Sequence, residues 1–223
     1  HKTEIGGHKL TPHTLMMGYG YDAALSEMSL KPPVFLTSTF AFESAADGKR
    51  FFEVVTGARE GDDSQGLVYS RFNGPDQEIL EDRLALWDGA DDALCCSSGM
   101  AAIATTLLAL VSPGEVIIHS GPLYAASESV IGRILARFGV HYVDFPAGID
   151  RAELEDVIKT AQAKGKIGAI YLESPANPTN VLWEIEAVAS LRQELLAEDS
   201  PEIIVDNTFL GPLLQRPIHN GAE

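Results

Sequence analysis

Cysteine is scarce in this chain: 223 residues hold two, and the two are neighbours, Cys95-Cys96. Adjacent residues of a strand point to opposite faces, so these thiols are not placed to bridge each other. With no C-x-x-C pair and no Cys/His cluster, neither a disulfide framework nor a metal site is expected. The two read as small, buried, inert hydrophobes in a reducing, cytoplasmic compartment. Long apolar runs are absent too, none reaching the ~18 residues of a membrane span. No leader is visible, and the opening His1-Lys2-Thr3-Glu4 lacks Met, which reads as a trimmed start. Positive charge is in short supply. Sixteen Lys and Arg stand against 32 Asp and Glu, a net charge of −16. That argues against nucleic acid or an anionic membrane as partner, while leaving room for a local basic pocket around an anionic cofactor.

What is present suits a soluble globular protein. Hydrophobic residues make up 45% and charged residues 22%, and the length suffices for a core without staples. Residues 1–65 read as an irregular arm, with Gly6-Gly7, Pro32-Pro33 and the polar Gly61-Asp62-Asp63-Ser64; only Pro33 to Phe40 looks extended and apolar. Such a segment is expected to wrap a neighbouring subunit or the following domain. Residues 66–223 are regular. Asp76 is expected to cap a helix with Leu80, Leu84 and Trp87 on one face. Strands are expected at Ala93–Cys96, Glu115–His119, Val140–Val143, Ile167–Leu172 and Ile203–Val205. Helices are expected from Ser98 to Leu110, Ala125 to Arg137, after Asp150, and from Ile185 to Leu196. Strands alternating with helices imply an α/β fold, a mainly parallel sheet covered on both faces, whose ligands sit at the carboxyl ends of strands.

Those strand ends carry chemically useful residues. Ser97-Ser98-Gly99-Met100 opens a helix, whose free N–H groups and dipole suit a phosphate as well as they suit an ordinary cap. Tyr124 stands where a loop enters a helix, placed to stack on a planar ring or to pack. In Glu173-Ser174-Pro175-Ala176-Asn177-Pro178 two prolines stiffen the loop and aim Asn177. Asp206 follows three β-branched residues; a carboxylate at the edge of a buried sheet calls for a cationic partner such as a protonated pyridine, unless it caps the next turn. Arg71, in Tyr69-Ser70-Arg71, is a bidentate phosphate donor by type, or a surface charge.

The succession Tyr69-Ser70-Arg71, Ser98-Gly99-Met100, Leu123-Tyr124, Glu173 to Pro178 and Val205-Asp206-Asn207-Thr208-Phe209 resembles the Cys/Met-metabolism family of pyridoxal-phosphate enzymes, from about Pro32 onward. The resemblance implies a fold-type-I transferase-like large domain at 66–223, incomplete and lacking the C-terminal small domain, with active sites shared between subunits of a homotetramer. It implies pyridoxal 5'-phosphate as cofactor, no metal, and a small sulfur amino acid as substrate. By residue, Ser98, Gly99 and Met100 would hold the phosphate, with Tyr69 and Arg71 reaching the phosphate of the neighbouring subunit. Tyr124 would stack on the ring and serve as acid/base at the leaving group. Asn177 would bond the ring hydroxyl oxygen, Asp206 would keep the ring nitrogen protonated, and Thr208 would line the pocket.

One departure bears on activity. The family's Schiff-base lysine stands in a Ser-x-Thr-Lys context, and none of the seven lysines here does. The expectation is a fragment whose catalytic lysine lies beyond it. For the parent protein, carbon–sulfur γ-elimination, like that of methionine or cystathionine γ-lyases, is the leading reading. A γ-replacement synthase, like cystathionine γ-synthase or O-acyl-homoserine sulfhydrylases, is the alternative, and a non-catalytic fragment the second. Ala126 stands where methionine γ-lyases often place a cysteine, which lowers the expected efficiency on methionine. A nicotinamide-dependent dehydrogenase is rejected, because Gly18-Tyr19-Gly20-Tyr21-Asp22-Ala23 follows no strand.

Overall fold

The computed structural model describes residues 3–60, 66–197 and 200–223; the stretch Gly61-Asp62-Asp63-Ser64 lies outside them. The chain forms two compact units, one of residues up to Leu86 with Asp91–Cys95, the other of Trp87–Ala90 with Cys96–Glu223.

The first unit opens with a small hairpin, β1 (Glu4–Ile5) against β2 (His8–Lys9), followed by the short helix α1 (Pro12–Leu15). A helix then appears where irregular chain is expected: α2 (Ala45–Val55). Ser44 caps it by accepting the Asp47 N–H at 3.2 Å, and Asp47 places negative charge at the positive helix end. Phe51 and Phe52 pack with Phe42, ring centroids 5.6 and 6.2 Å away. Gly48 weakens the helical signal in the sequence, yet it is where the Phe42 ring approaches; a Cβ there would lie 3.0 Å from it. The expected extended piece Pro33–Phe40 forms no strand, only the bridge Thr39↔Tyr69. Helix α3 (Pro75–Asp88) starts on a proline, which suits the first helical turn. Asp76 therefore sits inside the helix, and its Oδ2 accepts the Phe35 N–H at 3.0 Å instead of capping. Leu80 and Leu84 are exposed, contrary to the expected core face. The strand expected at Ala93–Cys96 is also not formed. No neighbouring strand pairs with it among the described residues, and the Cys95 N–H donates to Glu81 Oε1 at 2.6 Å. Cys96 is consequently exposed and Cys95 only half-buried, rather than buried.

The second unit is the α/β layer. Helix α4 (Gly99–Leu110) leads to β3 (Val116–Gly121). The stretch expected as one helix is wound in three pieces: α5 (Ala125–Ser129), a π turn (Val130–Ile134) and a 3-10 turn (Leu135–Phe138). Val130, Ile131 and Gly132 are weak helix formers at the change of winding. Then come β4 (His141–Pro146), α6 (Arg151–Lys164), β5 (Ile167–Glu173), α7 (Ile185–Leu195), β6 (Glu202–Asp206) and α8 (Gly211–Leu214). As expected, Asp150 caps α6, here in a full capping box: its side chain accepts the Glu153 N–H at 2.9 Å while the Glu153 side chain accepts the Asp150 N–H at 2.9 Å.

The four strands are parallel in the order β4-β3-β5-β6. Successive strand residues point to opposite faces, and the core divides accordingly. Val116, Ile118, Ile170 and Leu172 pack with Leu154 and Ile158 of α6 and Val188 of α7. Ile117, Ala169 and Tyr171 pack with Leu107 of α4 and Ile131. Helices thus cover both faces, and the carboxyl ends of β3, β5 and β6 stay free for a site. No helix among the described residues is long and apolar enough to cross a membrane.

Candidate functional site

A cavity of about 370 Å³ lies where β5 and β6 end and α4 begins. Seven of the residues singled out from the sequence line it: Ser98, Gly99, Met100, Tyr124, Asn177, Asp206 and Thr208. Glu173 and Phe209 complete much of the wall. Tyr69 and Arg71 belong to the first unit. There the Arg71 guanidinium is exposed and lies 5.5 Å from the Tyr69 ring centroid and 5.0 Å from that of Phe72.

Each wall has a local cause. Ser98 is the N-cap of α4 and spends its hydroxyl on the Ala101 N–H at 3.1 Å. Helix geometry leaves the N–H groups of Gly99 and Met100 without intrahelical acceptors, and a Cβ on Gly99 would meet nothing within 4 Å, so the approach to this helix end is open. Tyr124 caps α5 with its backbone alone, lines the cavity and is 43% exposed as a residue. Asp206 ends β6. Its Oδ1 accepts from the N–H and the hydroxyl of Thr208, and its Oδ2 accepts the Tyr171 hydroxyl at 3.5 Å. Thr208 therefore orients the carboxylate as well as lining the cavity. Tyr171 is fully buried; burial and the adjacent Asp206 charge push its phenol far above the ordinary tyrosine range, so it remains a neutral donor.

Glu173 is the residue that the motif contained without a role. It ends β5 in register with Asp206 on β6 and is 3% exposed. Its Oε2 accepts the Tyr124 N–H at 2.8 Å and its Oε1 the Asn177 N–H at 2.6 Å. An acid closing an apolar strand was the available signal, the same one that marks Asp206. Burial raises the Glu173 pKa most; the two backbone donors oppose this, and Asp206 adds to it. A carboxyl whose folded pKa is raised binds its proton more tightly in the folded state. Its stability contribution is complete below the ordinary glutamate pKa and is lost as pH rises through the folded value. Denaturant unfolding followed against pH should therefore show stability falling across that window, with a flatter profile for Glu173→Gln.

The donor set has a definite ligand chemistry. Free N–H groups at a helix end suit an anion, a half-exposed aromatic suits a flat ring, and Asp206 suits a protonated ring nitrogen. Among the described residues of its lining are two carboxylates and no Lys, Arg or His; a ligand bringing its own positive charge at Asp206 resolves that imbalance. A phosphorylated pyridine matches all three walls. Among the described residues no group of three or more His, Cys, Asp or Glu is gathered for a metal.

Comparison with known proteins agrees with this chemistry. A family model described as "Cys/Met metabolism PLP-dependent enzyme" matches residues 13–223. The chain is 34% identical to L-methionine gamma-lyase of Treponema denticola over 197 residues, 87% of this chain and 45% of that one. It is 33% identical to O-succinylhomoserine sulfhydrylase of Pseudomonas aeruginosa over 190 residues, 85% of this chain and 43% of that one. Among solved structures, the metY protein of Campylobacter jejuni, solved with N'-pyridoxyl-lysine-5'-monophosphate, superposes with a TM-score of 0.82 at 26% identity, over 96% of this chain and 48% of that one. The chain thus spans about half the length of the relatives it matches.

Proposed function

The chain belongs to the Cys/Met-metabolism family of PLP-dependent enzymes, and from that membership we propose that the full-length protein cleaves a carbon–sulfur bond of a sulfur-containing amino acid by γ-elimination. The observation that carries the proposal is the one cavity shared by the α4 N-terminus, Tyr124, Asn177 and Asp206. Bound pyridoxal phosphate supplies an electron sink for carbanions formed on the amino acid. The chain's own residues bind and orient it. The N–H groups of Gly99 and Met100, with Ser98, take the phosphate, and Tyr69 and Arg71 take that of a neighbouring subunit's cofactor. Tyr124 covers the ring and moves a proton at the departing sulfur. Asn177 bonds the ring hydroxyl oxygen, and Asp206, held by Thr208 and Tyr171, keeps the ring nitrogen protonated.

In this reading residues 1–65 are an arm against a neighbouring subunit and residues 66–223 are the cofactor-binding domain, in a cytoplasmic homotetramer. None of the seven lysines stands in a Ser-x-Thr-Lys context, so we assign the lysine that reacts with the cofactor to a part of the full-length protein outside these residues.

A second reading, γ-replacement by a thiol, is favoured by Ala126, which stands where methionine γ-lyases often carry cysteine, and by the likeness to a sulfhydrylase. Assays of the full-length protein separate the two. γ-Elimination gives a 2-oxo acid, ammonia and a thiol from the sulfur amino acid alone. Replacement gives a new thioether only when an O-acyl-homoserine and a thiol are both supplied. A full-length protein with no bound pyridoxal absorbance and neither activity would sink both readings and leave a non-catalytic role.

A further inference from the structure

We propose that Glu173 is a positioning residue whose buried carboxylate ties the Tyr124 loop to the Asn177 loop and so sets the width of the cavity that receives the cofactor ring; this rests on the function proposed above. The two loops follow different strands, β3 and β5, and their N–H donors lie 49 and 4 residues from Glu173 in sequence. A single side chain joins them, one oxygen to each, at 2.8 and 2.6 Å. Its own backbone is anchored as well: the Glu173 N–H donates to the hydroxyl of fully buried Ser120 on β3, at 3.1 Å.

The residue type matters. Two N–H donors face the group, and a carboxylate offers acceptors only. Glutamine has the same shape but must present an N–H to one of the two, so one bond becomes a donor–donor contact. Aspartate keeps the charge and loses a methylene, so it reaches one loop. Asp206, its register partner on β6, places a second acid beside it. Burying a second carboxylate there is unfavourable, and the two short, charge-assisted hydrogen bonds offset it.

The test uses the full-length protein, with E173Q and E173D, and pyridoxamine 5'-phosphate as a probe that needs no bond to lysine. Amide hydrogen exchange is first read without the probe. E173Q should speed exchange at Tyr124 and Asn177 by about tenfold or more, the loss expected for a charged hydrogen bond, while Ile117, Ile118 and Ile170 stay protected. With the probe, E173Q should bind about tenfold or more weakly and show a reduced circular dichroism band of the bound ring. E173D should fall between the two, and it carries the test if E173Q does not fold. Unchanged exchange and an unchanged dichroic band in E173Q overturn the inference alone. Loss of protection throughout β3 and β5 overturns it too, because Glu173 would then hold the fold rather than the loops. A wild-type protein that does not bind the probe overturns the proposed function and this inference with it.

Discussion

Replacing Asp206 by Asn in the full-length protein is expected to lower turnover about a thousandfold, the scale of removing one preorganised electrostatic contact at a reacting centre, without lowering the stability of the cofactor-free protein. The two effects have separate causes. Catalysis needs the anion, because an amide at this position does not hold a ring nitrogen in its protonated form. Stability does not need it. Without cofactor, Asp206 stands beside Glu173 at the ends of adjacent strands, and among the described residues of the cavity lining there is no cationic side chain. Their repulsion is of the order of 1 kcal/mol once solvent screening is counted. Asparagine keeps an oxygen for the Thr208 N–H and hydroxyl that Asp206 now accepts. Melting of the apo variant at or slightly above the wild-type temperature, with 2-oxo acid formation nearly abolished, is the expected pair of results. A large loss of stability, or an activity within tenfold of wild type, would remove Asp206 from the proposed role.

The same two strand ends show what was legible in the sequence. The core strands of the second unit announce themselves because three or more apolar residues precede a turn signal, and β3, β5 and β6 formed within one or two residues of expectation. Asp206 stood out because an acid terminates such a run. Glu173 terminates one too, yet its role was hidden: the groups it serves are backbone N–H donors on two loops, and no side-chain pattern records them. The misreadings have related causes. Ala93–Cys96 has a strand's composition, but a strand exists only through a paired neighbour, and none pairs there among the described residues. Asp76 is a good cap by type; Pro75 suits the first turn still better, and the Phe35 N–H then claims the carboxylate. Helix α2 was missed because Gly48 reads as a breaker, whereas a tertiary contact, the Phe42 ring against that glycine, selects it.

The largest stability effect is expected at a position with no part in the proposed chemistry. Phe145 lies on β4, is 0% exposed, and meets Trp183 edge-on with ring centroids 4.9 Å apart at 80°. Phe145→Ala removes the whole ring from a core shared with Leu154, Val188 and Ile118. Such truncations cost about 3–5 kcal/mol, the transfer energy of the lost atoms plus that of the cavity left behind. A protein of ordinary stability has about 5–15 kcal/mol in all, so one step consumes a large share of the margin; at roughly 2–4 °C per kcal/mol for a domain of this size, a melting decrease of about 10 °C is expected. Phe145→Leu keeps most of the volume and should cost about 1.5 kcal/mol or less. Trp183 reports the change directly, since loss of its ring partner alters its fluorescence before global unfolding. In the order β4-β3-β5-β6, β4 stands on the far side of β3 from the strands that end in Glu173 and Asp206. Turnover per folded molecule should therefore stay near wild type in Phe145→Ala, the reverse of Asp206→Asn. Should Phe145→Ala instead lower turnover per folded molecule as strongly as it lowers the melting temperature, the separation between the packed face of this sheet and the end that carries the proposed site would be lost.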